Sequence, residues 1–189
     1  MARIPYIAPP ERRTERVVLR SWRPGEGAKL SEAVNPSYEH LRRWMPWASF
    51  DQSVEESEAR VRGFRGEWLL GTNFIMPILD PTEARVLGGT GFHPRGREVE
   101  EGITEIGMWV RVEEVGSGLA THVATEMIAW AWAEWPWRRL TWHCDAENHA
   151  SRRVAEKAGF ALEGILREDG KAPDGSLRDT CRYALLRPR

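Results

Sequence analysis

Cysteine is scarce in this chain. Cys144 and Cys181 lie far apart and lack the close spacing of a metal knuckle. Two free thiols in a cytoplasmic protein are the simplest reading, which excludes a disulfide scaffold and leaves no metal expected. Long apolar runs are also missing. Nothing approaches the roughly 18 consecutive apolar residues of a membrane helix, and the richest stretch, MIAWAWA, is bounded by Glu126 and Glu134. The opening MARIPYIAPPERRTER has no apolar core, so no secretion signal is expected. Net charge is -1, with no basic patch outside ERRTER, so neither nucleic acid nor a membrane is an expected partner.

What is present fits one folded domain. With 189 residues, the chain can bury a real core. Residues 1–14, with three prolines, read as a loose arm, and 15–189 as a single domain. The ten tryptophans are expected mostly in the core, with some lining a pocket. RVVLRSW (16–22) reads as a strand, and 24–43 as two short helices broken at Asn35-Pro36. WMPWASF (44–50) is an aromatic loop. Ser53 and Glu56 form a capping box for a helix running to Leu70 and stopped by Gly71. Strands follow at 73–79, 85–93 and 103–110, the last two separated by a charged loop. A helix with the apolar stripe Leu119, Val123, Met127 and Ala131 ends at Pro136. Then come a strand (139–144), a short helix (151–160) with Ser151 as possible N-cap, and two strands near 161–167 and 178–186, joined by the turn APDG.

The stretch VGSGLATHV (115–123) places two glycines between a strand and a helix. That position aims free backbone N–H groups and the positive helix end at an anion. No Lys follows Gly118, so a nucleoside-triphosphate loop is excluded. Position 121 is Thr where a dinucleotide fingerprint needs Gly, and the preceding strands are not βαβ. A glycine turn serving only packing remains open on this motif alone.

The run from IGMWV through VGSGLATHVATEMIAWAW to DAENHASRRVAEKAGFALEGILRE resembles the GCN5-related N-acetyltransferase (GNAT) family. Within it, the chain is similar to ribosomal-protein N-terminal acetyltransferases of the RimJ/RimL type. The family's [QR]-x-x-G-x-[GA] loop stands here as residues 115–120, with Val115 departing from the usual Arg or Gln. The signature N-x-x-S-x-x-x-x-E-K-x-G-F is complete from Asn148 to Phe160, and YEHLRRWMPWA (38–48) is similar to the subfamily's substrate-side segment. The resemblance spans about residues 15–186. It implies an α/β (α+β) GNAT fold: a mixed, mostly antiparallel central sheet of about seven strands, flanking helices, and a splayed strand pair that binds the cofactor.

By the same resemblance the cofactor is acetyl-coenzyme A, used as co-substrate. Backbone around Met108, Trp109 and Val110 is expected to pair with its pantetheine arm. Val115, Gly116, Ser117, Gly118, Leu119, Ala120 and Thr121 would hold its pyrophosphate, and Asn148 would bond the pantetheine. Arg153 is placed near the nucleotide or on a solvated helix face. Ser151 would protonate the leaving thiolate, cap its helix, or do both. Glu105, sharing a strand face with Gly107 and Trp109, is the expected general base; Glu168 and Asp169 are second candidates. His93 is an expected substrate contact. His143 reads as a packed sheet residue. Trp44 and Trp47 either wall a substrate tunnel or close the core. The acidic run REVEEGITE either attracts a cationic amine or is a solvated loop.

A protein α-amine titrates near ~7.7–8.0 and lysine near ~10.4, so about a tenth of the former is neutral near pH 7. A site without a strong base therefore suits an α-amine. The leading expectation is acetylation of a protein or peptide N-terminus, a ribosomal protein among the possible partners. Alternatives are a small amine, an aminoacyl compound or an antibiotic, or a non-catalytic acyl-coenzyme-A-binding domain. A monomer and a homodimer both remain open.

Overall fold

In a computed structural model, residues 5–48, 50–172 and 174–188 are described. The strands are β1 (Glu11–Arg13), β2 (Val18–Arg20), β3 (Phe74–Leu79), β4 (Val86–His93), β5 (Ile103–Val110), β6 (Arg139–Asp145), β7 (Ala161–Lys171) and β8 (Leu177–Leu186). They form one sheet in the order β1-β2-β3-β4-β5-β6-β8-β7. Every neighbouring pair is antiparallel except β5 and β6, which run parallel.

The sheet therefore has eight strands rather than about seven. The extra one comes from the arm read as loose, because Glu11–Arg13 pairs with β2 as an edge strand. Ahead of it, Tyr6 packs against Phe74 and Trp135, with ring centroids 6.1 and 5.8 Å apart. Pairing with each other also lengthens β7 and β8 beyond the apolar runs that marked them. In the turn APDG, Pro173 lies outside the described residues.

One face of the sheet carries α1 (Gly27–Val34), α2 (Tyr38–Leu41) and α3 (Val54–Leu70). Val18, Leu79 and Val86 from the sheet bury there against Leu30, Val34 and Val61. The capping box forms as read: the Glu56 amide donates to Ser53 Oγ at 3.1 Å, and the Ser53 amide to Glu56 Oε2 at 2.9 Å. Gly71 ends α3 in a left-handed conformation. The opposite face carries α4 (Leu119–Glu134) and α5 (His149–Lys157). The apolar stripe of α4 buries completely at Val123, Met127 and Ala131, widened by Ala124 and Trp130.

Tryptophan dominates that second core. Trp135 and Trp137 stack with centroids 5.8 Å apart, and Phe74 and Phe92 meet Trp135 edge-on at 4.8 and 4.9 Å. Such pairs add about 0.5–1.5 kcal/mol each beyond the area they bury. Trp137 is fully buried, and its indole N–H has no hydrogen-bond partner among the described residues.

Two substitutions separate packing from polarity there. Trp137→Ala should cost roughly 3–5 kcal/mol. Trp137→Phe, which removes an unpaired N–H and keeps a ring, should cost less than half of that. Urea unfolding checks both, and equal losses would show that ring volume is not what counts.

Candidate active site

The sheet opens at one place. β5 and β6 pair through Ile103–Arg139, Thr104–Leu140 and Glu105–Thr141, and there the pairing stops. β5 continues to Val110 along β4, and β6 continues to Asp145 along β8. Past Glu105 and Thr141 their facing edges have no ladder partner, which is the splayed pair expected from the sequence. A cavity of about 600 Å³ occupies this end of the sheet, lined from β4, β5, β6, β8, α3, the 44–47 loop and the start of α5.

Alternation along β5 sends Glu105, Gly107 and Trp109 to one face and Ile106 into the core on the other. Glycines make room for the rings that lie on this face. A Cβ on Gly89 would lie 2.4 Å from Trp109 Nε1, and one on Gly107 2.8 Å from His93 Nε2. Trp109 in turn meets Trp47 at 5.8 Å between centroids. Trp44 and Trp47 both line the cavity, which sets their wall role above core closure, and Trp47 remains 37% exposed.

Glu105 is a fixed anion. Arg95 donates to both its oxygens, at 3.0 and 2.8 Å, and His143 Nδ1 lies 3.0 Å from Oε2. Burial works to raise its pKa, but the bonds from His143 and Arg95 outweigh it and hold the carboxyl at about 2. His143 is thus more than a packed sheet residue: it lines the cavity and is oriented by Glu105. Arg182 Nη1 lies 3.3 Å from both ring nitrogens, an equal approach that puts the cation against the ring face. His93 faces the same cavity with Nδ1 2.7 Å from Asn73 Oδ1. Since that oxygen can only accept, Nδ1 carries the proton. Burial, with the Arg95 cation acting the same way, lowers the His93 pKa to about 4, so its ring is neutral near pH 7.

Beyond β6, Asn148 caps α5, its Oδ1 accepting from the Ser151 amide at 3.0 Å. Ser151 is therefore three positions inside the helix and not its N-cap. Its Oγ accepts from Trp142 Nε1 at 2.9 Å, and near it in the same cavity lies Cys144, whose thiol burial pushes up to about 11. Asn148, Ser151 and Cys144 all line the cavity, as does Met108. Both cysteines are free.

The glycine loop follows β5 directly. Its approach is fixed by Arg111, whose buried guanidinium donates to Glu32 at 2.8 and 2.9 Å, and by the Val112 amide on Ser37 Oγ at 3.2 Å. Gly116 and Gly118 have φ of +81° and +80°, and a Cβ on either would meet nothing within 4 Å. The loop thus presents bare backbone to the surface. Ser117 Oγ binds the Leu119 amide, while the Ala120 and Thr121 amides belong to the first helical turn, which has no intrahelical acceptors. This cradle fits a pyrophosphate. Val115 sits at its rim, 52% exposed.

Val110 ends the parted edge of β5 without lining the cavity, and Arg153 is exposed on α5. Glu168 and Asp169 lie off the cavity; Asp169 pairs with Arg182 at 3.0 Å. None of Glu98, Glu100 and Glu101 lines it either. They precede β5, at the end of the strand where β6 is still paired. Asn73, Arg95 and Arg60 are site residues that the sequence reading missed. Only tertiary pairing brings them in, although β alternation from Thr141 would have put His143 on the face of Glu105.

A family description, "Acetyltransferase (GNAT) domain", matches residues 16–161. A Bacillus subtilis protein named "Putative ribosomal N-acetyltransferase YdaF" is 25% identical over 92% of each chain. Among solved structures, the microcin C7 self-immunity acetyltransferase MccE, in complex with acetyl-CoA and AMP, superposes with a TM-score of 0.83 at 18% identity, covering 92% of this chain and 94% of that one. RimL, the ribosomal L7/L12 α-N-protein acetyltransferase in complex with coenzyme A, does so with 0.82 at 21%, covering 92% and 95%. The chain belongs to the GNAT acetyltransferase family. It is an enzyme, an N-acetyltransferase dependent on acetyl-CoA. No helix among the described residues is long and apolar enough to cross a membrane.

The buried neutral His93 sets a pH dependence. Its folded pKa of about 4 lies below the ordinary histidine value of ~6.5, so between these values the unfolded chain binds the extra proton. Its contribution is whole above pH ~6.5 and is lost as pH falls toward about 4, at most by roughly 3 kcal/mol. Urea unfolding from pH 7 to 4.5 should show a shallower loss in His93→Gln than in the wild type; parallel curves would refute the assignment.

Proposed function

We propose that this acetyltransferase modifies a protein or peptide N-terminal α-amine, in the manner of the ribosomal-protein enzymes, in the cytoplasm. One observation carries the reading. The Glu105 carboxylate is tied to Arg95 and His143, and those bonds hold its pKa at about 2, which makes it a weak base and favours the His143 imidazole beside it as the proton acceptor. An imidazole suffices for an α-amine, about a tenth of which is already neutral near pH 7, and is poorly matched to lysine. Relatives named for ribosomal-protein acetylation point the same way.

Acetyl-CoA supplies the thioester carbonyl that the amine attacks. The parted edge of β5 at Met108, Trp109 and Val110, with the Asn148 side-chain amide, holds the pantetheine arm. Residues 115–121 hold the pyrophosphate through main-chain N–H groups, which do not depend on the side chain at Val115. Glu105 is a positioning residue: it fixes the proton on His143 Nδ1 and leaves Nε2 to accept one from the amine. Ser151 Oγ, already accepting from Trp142, has its own proton to give to the departing sulfur. A main-chain N–H of Trp109 or Val110 polarises the carbonyl. Trp44, Trp47 and His93 shape the acceptor side.

The direct test is calorimetric titration with acetyl-CoA beside NADH and ATP, then thiol release with N-terminal peptides, lysine side-chain amines and small amines. Saturable binding of acetyl-CoA alone and turnover fastest on N-terminal peptides are expected. His143→Gln and Ser151→Ala should each lower kcat by about 10²-fold or more while acetyl-CoA still binds. Preference for lysine or for small amines would overturn the substrate reading, and unchanged kcat in both variants would overturn the roles given to these residues.

A further inference from the structure

The acceptor side of the cavity holds a cation without a counter-ion. Arg60, on α3, is half-buried and lines the cavity. Its guanidinium lies 5.0 Å from the centroid of Trp47 and 5.7 Å from that of Phe64. Nη1 donates to Gln52 Oε1 at 2.6 Å, and no carboxylate pairs with Arg60 among the described residues. A guanidinium has five N–H donors, so most of this fork is uncommitted. Arg95, by contrast, is neutralised by Glu105. The charges lining the cavity are also unbalanced: Arg60, Arg95 and Arg178 face Glu105 and Asp145, three cations against two anions.

Placement narrows what the fork could hold. Trp47 lies between Arg60 and Trp109, 5.0 Å from the guanidinium and 5.8 Å from the Trp109 ring. Trp109 belongs to the parted edge of β5, where the reacting carbonyl is placed. Arg60 is therefore two ring-to-ring steps from the reaction centre. An extended peptide advances about 3.3 Å per residue, so a side chain at the second or third residue reaches that far. Held 5.0 Å from the indole centroid and bonded through Nη1 alone, the guanidinium keeps donors for a carboxylate, which such a planar fork can bind through two parallel bonds.

We propose that Arg60 is an acceptor-recognition residue that binds a carboxylate on the second or third residue of the acceptor peptide, so that the enzyme selects acidic N-termini. This rests on the N-terminal acetylation reading above.

Two measurements test it. The first is thiol release with peptides matched except for Glu, Gln or Lys at positions two and three. The wild type should favour the Glu peptides at least tenfold in kcat/KM, mainly through KM. Arg60→Gln should reduce that preference to about twofold or less, and Arg60→Lys should restore part of it. The second needs no turnover: calorimetric titration of the full chain with the amine-blocked peptide acetyl-Ser-Glu-Glu-Ala-amide. It should bind the wild type at least tenfold more tightly than Arg60→Gln, with acetyl-CoA affinity as the check on folding. No preference for Glu, a preference that survives in Arg60→Gln, or equal binding of the blocked peptide to both proteins overturns the proposal. Arg60-dependent binding of the blocked peptide with no thiol released from any amine would support the carboxylate site and overturn the acetylation reading instead.

Discussion

The parting of β5 from β6 organises everything functional in this molecule. Each strand is held firmly on its outer side, β5 by β4 and β6 by β8, so the gap between them is kept open by the rest of the sheet. Backbone groups on the two inner edges need partners that the sheet does not supply. Glu105 and Thr141 are the last residues paired, and the bond between Glu105 and His143 crosses the gap immediately beyond them. The loop after β5 becomes the glycine cradle, and the turn after β6 becomes the α5 cap carrying Asn148 and Ser151. One break in a ladder thus frees two strand edges, and each of those strands leads directly into a helix N-terminus.

Charge at the opening is assigned by Arg95. It helps keep Glu105 ionised through two hydrogen bonds, and its field adds to burial in keeping His93 neutral. Two titratable groups across β4 and β5, His93 and Glu105, are Cα partners, yet they end in opposite states. An ionised Glu105 orients His143, and a neutral His93 adds no second positive charge beside Arg95. Arg95 contributes to both states, beside burial at His93 and His143 at Glu105, which is why it belongs to the site although no motif marks it.

Local signals in the sequence carried a good part of this. The capping box at Ser53, the stripe on α4, the glycines at 116 and 118 and the signature from Asn148 to Phe160 are all local patterns, and each took the conformation that its spacing required. β1 was hidden because ERR has no apolar alternation; it is a strand only because β2 offers an edge. Ser151 looked like a cap because it opens the stretch read as the helix, but Asn148 outcompetes it by reaching the third amide of the helix. The roles of His143 and Arg60 escaped for another reason. Their roles come from what stands across from them, Glu105 in one case and Trp47 in the other, and neither neighbour is near in sequence.

The two sides of the site are built from different materials. The side proposed for the cofactor is mostly main chain: a strand edge, a glycine turn and helix amides, whose geometry is indifferent to side chains such as Val115. The acceptor side is side chain on side chain, with Arg60 on Trp47, Trp47 on Trp109 and Trp109 over Gly89. A substitution in that stack changes what the wall recognises without moving the backbone that holds the cofactor, because only Trp109 is shared and its backbone is fixed by β4. Acceptor choice is therefore free to drift while the donor side stays constant. The same separation explains why the proposal for the donor side rests on motifs and that for the acceptor side on contacts.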